Sequence, residues 1–303
     1  MATPLPTIRQ LQFFLALVRR ESFSKAASDC LVSQSTLSSA VKELESILDR
    51  QLVDRSTRHF SLTPAGKEVA TRAAKILAET EEMARAVSDR EPLEGSFRLG
   101  VIPTIAPFLL PRAAPGLAKK FPKLELFLRE DLTASLAERL ADGTLDAALL
   151  AFPYDLAGVD WIAIGEDPFL YAAPVSDPIA SRQSVKSADL KEAHLLLLED
   201  GHCMREHALD ACKLRQDDIS GVFGATSLFT LTQMVRAGLG STLLPKMAVD
   251  AGLAANAGLK VAPLAAPAPA RTIGLAWRKG SGRREDCELL AAHFKAAMEA
   301  AGR

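Results

Sequence analysis

The chain has 303 residues, 48% of them hydrophobic and 24% charged, an ordinary globular composition in a chain long enough for two or three domains. A formal net charge of −1 gives no global attraction to nucleic acid, so any DNA-binding role must rest on local pattern. No apolar run approaches the roughly 18 to 20 residues that span a bilayer, and Met1-Ala2-Thr3-Pro4 lacks the basic and apolar regions of a signal peptide. A cytoplasmic protein with no membrane partner is therefore expected. Cys30, Cys203, Cys212 and Cys287 are too few and too scattered for a disulfide framework.

Ile8, Leu11, Leu15 and Val18 fall on one face of a predicted helix over 7–20. Ser24 is expected to cap a short helix through Cys30. Ser33 is expected to cap a third, striped by Leu37, Val41, Leu44 and Leu48. Two short helices joined by a brief turn are the helix-turn-helix pattern. Residues 52–62 alternate weakly around Ser56-Thr57, as a small wing hairpin would. Thr63-Pro64 restarts the chain as cap and first helical residue of a long helix to about Arg90. Its positions Val69, Ala73, Ile76, Thr80, Met83 and Val87 form a coiled-coil-like seam that would pair with a second copy.

From Glu94-Gly95 onward the pattern changes to strands alternating with helices. Strands are expected around Phe97, Leu99 and Val101 and at 124–128, 146–152, 169–175, 195–198, 241–244 and 272–277. Amphipathic stretches at 107–120, 133–142, 203–214, 227–238 and 285–300 lie between them, and 263–270 reads as a connector. Such alternation implies an α/β region of mostly parallel sheets with helices on both faces.

On the third helix, Ser35, Ser39 and Lys42 lie opposite the apolar stripe, flanked by Gln34, Thr36 and Ser38. These side chains suit base edges and phosphates in a major groove. Over residues 1–68 nine Lys/Arg face seven Asp/Glu, so charge barely favours DNA and a solvated structural face stays open. In the wing, Arg55, Arg58 and His59 are candidates for phosphate or minor-groove contacts.

Phe23-Ser24-Lys25-Ala26-Ala27, Val32-Ser33-Gln34-Ser35-Thr36-Leu37-Ser38 and Leu62-Thr63-Pro64-Ala65-Gly66, in that order, resemble the LysR-type transcriptional regulators. That family commonly has proline where Ser35 stands, a departure that touches helix entry or base preference. The resemblance implies an all-α winged helix-turn-helix domain over 1–62 and a linker and dimerisation helix over 63–91. It further implies an effector domain over 92–303 of two doubly wound, periplasmic-binding-protein-like α/β lobes. The first lobe would span about 92–166 and 269–303, the second about 167–268. Also implied are double-stranded promoter DNA and RNA polymerase as partners and a homotetramer built as a dimer of dimers. No cofactor, metal or enzymatic activity is expected.

Thr104, Thr133 and the segment Glu199-Asp200-Gly201-His202-Cys203 follow predicted strands, where ligands of open α/β sheets bind. Helix capping is the plain explanation of the two threonines. Asp200 is expected to cap a helix that holds Cys203 in its first turn, where the helix dipole and a protonated His202 would favour thiolate. Cys212 lies nine positions on. In a continuous helix that is about 13.5 Å of rise with the two sulfurs on opposite faces, whereas a disulfide needs Cα atoms within about 7 Å. Bonding the pair would require the helix to refold. Three readings stay open on the residues alone: unrelated cysteines, a metal site using Cys203, His202 and His207, or a redox pair.

Leu198-Glu199-Asp200-Gly201-His202-Cys203-Met204-Arg205, Cys212, Ala225-Thr226-Ser227-Leu228, Gly240-Ser241-Thr242-Leu243-Leu244-Pro245 and Arg271-Thr272-Ile273-Gly274-Leu275 resemble the peroxide-sensing branch of the LysR type. So do Ile102-Pro103-Thr104, Leu109-Leu110-Pro111 and Phe121-Pro122-Lys123-Leu124-Glu125. The resemblance implies that Cys203 is peroxidatic and Cys212 resolving, and that Thr104, Thr133, His202 and Arg271 bind hydrogen peroxide. Residues 203–226 would move most. Cys30 and Cys287 read as structural. The rivals are a LysR-type regulator with a small organic effector between its lobes and a thiol peroxidase-like enzyme.

Overall fold

Thr7 and Gln10 start helix α1 (Ile8–Arg20) with a reciprocal capping box. Leu11, Phe14 and Leu17 are buried, whereas Ile8 is exposed and Leu15 and Val18 only half-buried. The Phe13 and Phe14 rings turn the buried face away from the one read in the sequence, because they remove more apolar area from water. Helix α2 (Phe23–Asp29) is capped by Ser22, not Ser24, and ends before Cys30. Ser33 caps α3 (Gln34–Leu48) by accepting the Thr36 N–H, and Leu37, Val41 and Leu44 are fully buried. These helices are described in a computed structural model covering residues 4–54, 60–86, 91–212 and 225–300, with the side chains of 85, 86, 211 and 212 excepted.

The wing strands β1 (Val53–Asp54) and β2 (Ser61–Leu62) pair antiparallel, Val53 opposite Leu62. Thr63 Oγ1 then accepts the Gly66 N–H and opens α4 (Pro64–Ala86). Ala73 of the predicted seam is buried, but Ile76 and Met83 are 46% and 68% exposed in the single chain. Val87 lies outside the described residues. The chain divides into two compact units, Met1–Asp89 with Ala141–Thr144, and Arg90–Leu140 with Leu145–Arg303.

In the second unit, β3 (Gly95–Val101) pairs in parallel with β4 (Leu124–Glu130) and β5 (Ala147–Phe152). The long β6 (Val159–Pro174) runs antiparallel to β7 (Thr242–Pro245), β8 (Leu259–Pro263) and β9 (Ala270–Arg278), and β9 is antiparallel to β5. The sheet is therefore mixed, not mostly parallel. Helix-to-strand alternation cannot reveal this, because β6 and β9 each pass between two cores and must pair with each other on the way. Phe97, Leu149, Leu275 and Phe294 anchor one core. Tyr171, Leu197, Leu231 and Leu243 anchor the other. Helices α5 (Ala106–Lys120), α6 (Thr133–Ala141) and α12 (Arg284–Glu299) belong to the first lobe. The second holds α7 (Ser187–Glu192), α9 (Leu228–Arg236), α10 (Lys246–Asp250) and α11 (Leu253–Asn256). The helix α8 (Cys203–Cys212) touches both cores: Cys203 packs into the first, Met204 and Ala208 into the second. Among the described residues no helix is long and apolar enough to cross a membrane.

A Cβ at Gly66 would collide with the Leu52 carbonyl oxygen, a backbone atom beside the wing. Gly66→Ala is expected to destabilise the N-terminal unit by about 1–3 kcal/mol, read as a lower midpoint in urea unfolding followed through its DNA binding.

Candidate functional site

Helix α8 begins at Cys203, so its cysteine occupies the first helical position. Asp200 does not act as the expected cap; its carboxylate pairs with the Arg205 guanidinium at 3.0 Å. Ile102, Pro103, Thr104, Leu132, Thr133, Gly201, His202 and Met204 surround Cys203 and leave about 10 Å³ for the centre of a water-sized molecule. That is about the minimum space that holds a single water. Three of the four predicted pocket residues line this cavity, and Arg271 stands behind it.

Neither threonine serves as a helix cap. Arg271 donates through Nη1 to Thr104 Oγ1 at 2.7 Å and through Nη2 to the Thr104 carbonyl at 3.0 Å. Because Thr104 Oγ1 accepts from the guanidinium, its own proton is left to donate elsewhere. Thr133 Oγ1 is buried with no partner in good hydrogen-bond geometry, yet it lies close enough to favour the Cys203 thiolate. Two hydroxyls beside one sulfur thus have unspent hydrogen-bonding capacity. An isolated buried hydroxyl costs about 1–3 kcal/mol, which a small polar guest would relieve.

Burial pushes the Cys203 thiol above its ordinary range, and the Thr133 hydroxyl and Arg271 charge oppose that push without overcoming it. Withdrawal from water thus works against the low-pKa thiolate expected at a helix start. Burial likewise lowers His202 and keeps it neutral near pH 7, so no imidazolium assists the sulfur. His207, the third member of the metal reading, is also buried and lowered. Its Nε2–H donates to the Pro153 carbonyl at 2.8 Å, and among the described residues no group of three His, Cys, Asp or Glu could hold a metal ion.

The backbone is helical throughout Cys203–Cys212, so about 13.5 Å of rise separates the two Cα atoms. Cys203 is a free thiol. The Cys212 side chain lies outside the described residues. Cys287 is fully buried and its thiol is pushed well above the usual range by burial. Cys30 is half-buried and also raised, chiefly by burial.

One residue escaped the sequence reading: Asp167, buried between β6 and β9, accepts from Arg271 Nε and Nη2 at 3.1 and 2.9 Å. The only available signal was a charged residue inside an apolar strand.

In the N-terminal unit, Gln34, Ser35, Thr36, Ser39 and Lys42 are exposed on α3 and Ser38 is half-buried. Ser33 Oγ lies 2.8 Å from Ser35 Oγ and 2.7 Å from Thr36 Oγ1, which ties both hydroxyls to the helix start. Arg55 and Arg58, with His59, lie outside the described residues.

A winged helix-turn-helix joined to a two-lobed α/β domain with a cysteine-containing cavity defines a DNA-binding regulator with a sensing domain. The chain belongs to the LysR family of transcriptional regulators. Residues 8–67 match the bacterial regulatory helix-turn-helix protein of the lysR family, and residues 90–299 match the LysR substrate binding domain. It is 41% identical to a probable hydrogen peroxide-inducible genes activator of Mycobacterium avium, over 94% of this chain and 92% of that protein. Among solved structures it is similar to full-length OxyR of Pseudomonas aeruginosa carrying a cysteine-to-aspartate substitution. There the TM-score is 0.79 and the identity 33%, over 96% of this chain and 98% of that one. A hydrogen peroxide-bound cysteine-to-serine OxyR mutant of Corynebacterium glutamicum gives a TM-score of 0.66 at 35% identity, over 98% and 96%.

An ordinary cysteine titrates near ~8.5. Because the folded value of Cys203 is raised, its thiolate fraction should still be climbing at about pH 9. Iodoacetamide labelling of Cys203 in the reduced protein, followed by peptide mass spectrometry across pH, should rise accordingly. A plateau already reached at about pH 7 would contradict the dominance of burial.

Proposed function

We propose that this regulator senses hydrogen peroxide through Cys203 and Cys212 and controls oxidative-stress genes from promoter DNA. The observation that carries the reading is the small cavity beside Cys203, lined by Thr104 and Thr133, with Arg271 bonded to the Thr104 hydroxyl. Thr104, Thr133 and His202 would hold the peroxide oxygens, and Arg271 would stabilise the thiolate and the negative charge that develops on the leaving oxygen. The Cys203 sulfur attacks one peroxide oxygen, so that an S–O bond forms as the O–O bond breaks. The departing hydroxide takes up the thiol proton as water. Cys212 then attacks the sulfenyl sulfur, forming the disulfide and releasing a second water. Two electrons pass from the thiol pair to peroxide, and cellular thiols restore the reduced form.

In this reading the protein is a slowly cycling sensor in the cytoplasm, not an enzyme. Gln34, Ser35, Thr36, Ser38, Ser39 and Lys42 of α3 would meet the major groove, and Arg55 and Arg58 of the wing the adjacent backbone or minor groove. The working boundaries are 1–62 for DNA binding, 63–91 for the linker and 92–303 for sensing. Exposure of Ile76 and Met83 on α4 supports pairing with a second copy, and two such dimers would engage DNA and RNA polymerase. One observation favours a second reading. A larger cleft of about 390 Å³, edged by Leu109, Arg112, Glu166, Lys246 and Lys295, could take an organic effector.

Non-reducing peptide mapping after one equivalent of peroxide should yield a Cys203–Cys212 disulfide, with Cys203→Ser silent to peroxide but still bound to DNA. Absence of that disulfide, together with a thermal shift from an organic metabolite, would sustain the second reading instead.

A further inference from the structure

Arg271 can act on Thr104 and Cys203 only if its guanidinium is held in one plane. The residue that holds it is Asp167, its direct cross-strand neighbour in the β6–β9 register. Asp167 Oδ2 accepts from Arg271 Nε at 3.1 Å and from Nη2 at 2.9 Å, while Oδ1 accepts the Met247 N–H at 2.9 Å. The guanidinium therefore spends Nε once, Nη1 once on Thr104 Oγ1 and Nη2 twice, on Asp167 and the Thr104 carbonyl. Both side chains are sealed from solvent, at 0% and 1% exposure.

This arrangement is more than a generic buried pair. A buried ion pair is only weak evidence of stabilisation, since desolvation offsets attraction and an apolar pair can replace it. What the carboxylate supplies here is direction: two contacts on the Nε–Nη2 edge of the planar fork turn its Nη1–Nη2 end toward Thr104. Met247 fixes the carboxylate in turn, and it stands at the start of α10 immediately after β7. Thr104 follows β3 of the first lobe, so Asp167 links an amide of the second lobe to a hydroxyl of the first through Arg271.

We propose that Asp167 is a positioning residue: it aims the Arg271 guanidinium at Thr104 and thereby sets how fast Cys203 reacts with peroxide. This rests on the reading of Cys203 as the peroxide-reactive group. Asp167 touches neither the sulfur nor the cavity, and acts only through Arg271. Asparagine at this position would keep the shape but offer one acceptor oxygen, enough for Arg271 or for the Met247 N–H but not both.

The test uses the full-length protein and two probes of the same sulfur, hydrogen peroxide and iodoacetamide, with Cys203 products resolved by mass spectrometry. Asp167→Asn should slow peroxide oxidation at least about ten-fold, as small misalignments of reacting groups do. Iodoacetamide labelling, which does not use the threonine hydroxyls, should stay within about two-fold. A merely structural role would loosen the site and change both rates together. In an Arg271→Gln background, adding Asp167→Asn should change the peroxide rate by less than about two-fold. That comparison isolates the part of the Asp167 effect that runs through Arg271, and it stands alone if the single variant does not fold. An unchanged peroxide rate in Asp167→Asn, a parallel change of both probes, or a further loss in the Arg271→Gln background would overturn the proposal. Unsubstituted protein whose Cys203 ignores peroxide would instead overturn the reading on which it rests.

Discussion

The helix that carries Cys203 and Cys212 keeps their Cα atoms too far apart to bond, and the proposed switch depends on that one length. About 13.5 Å of rise against the roughly 7 Å limit for bridged Cα atoms leaves no compromise geometry. Forming the bond means giving up part of α8. Because Cys203 packs into the first core and Met204 and Ala208 into the second, refolding would disturb both lobes together. The opposing cost is moderate: a buried methionine side chain is worth about 1.5–3 kcal/mol and each net hydrogen bond about 0.5–1.5. Terms of that size hold a helix shut without preventing an oxidation from opening it.

Around the start of that helix the polar groups are arranged in ranks. The sulfur meets Thr133, Thr104 lies beside it, Arg271 holds Thr104, and Asp167 holds Arg271. Burial raises the thiol, while Thr133 and Arg271 oppose that push. This separates sensitivity from general reactivity. A sulfur made nucleophilic simply by a low pKa would meet any electrophile, whereas under the proposed mechanism one assisted by two hydroxyls and a guanidinium would select a guest able to accept their hydrogen bonds.

Much of this was legible in the residues, and the parts that were not have identifiable causes. Ser33 with Leu37, Val41 and Leu44 announced α3, and Thr63-Pro64 announced α4, because caps and helical periodicity are local. Thr104, Thr133, His202 and Arg271 were singled out by resemblance; the fold brings the first three around Cys203 and sets Arg271 behind Thr104. Some local details were misread: Ser22 caps α2 where Ser24 was expected, the exposed Asp200 pairs with Arg205, and burial lowers His202. The mixed sheet and Asp167 were hidden for a different reason. Arg271 lies 104 residues from Asp167, and no local pattern reports which strands meet across that distance.

Amide hydrogen exchange across residues 203–212, in the reduced protein and after stoichiometric peroxide, tests the central claim most directly. Protection in the reduced state should be lost when the Cys203–Cys212 disulfide forms and return when it is reduced. A disulfide-linked protein that kept full helical protection over the same residues would contradict the account.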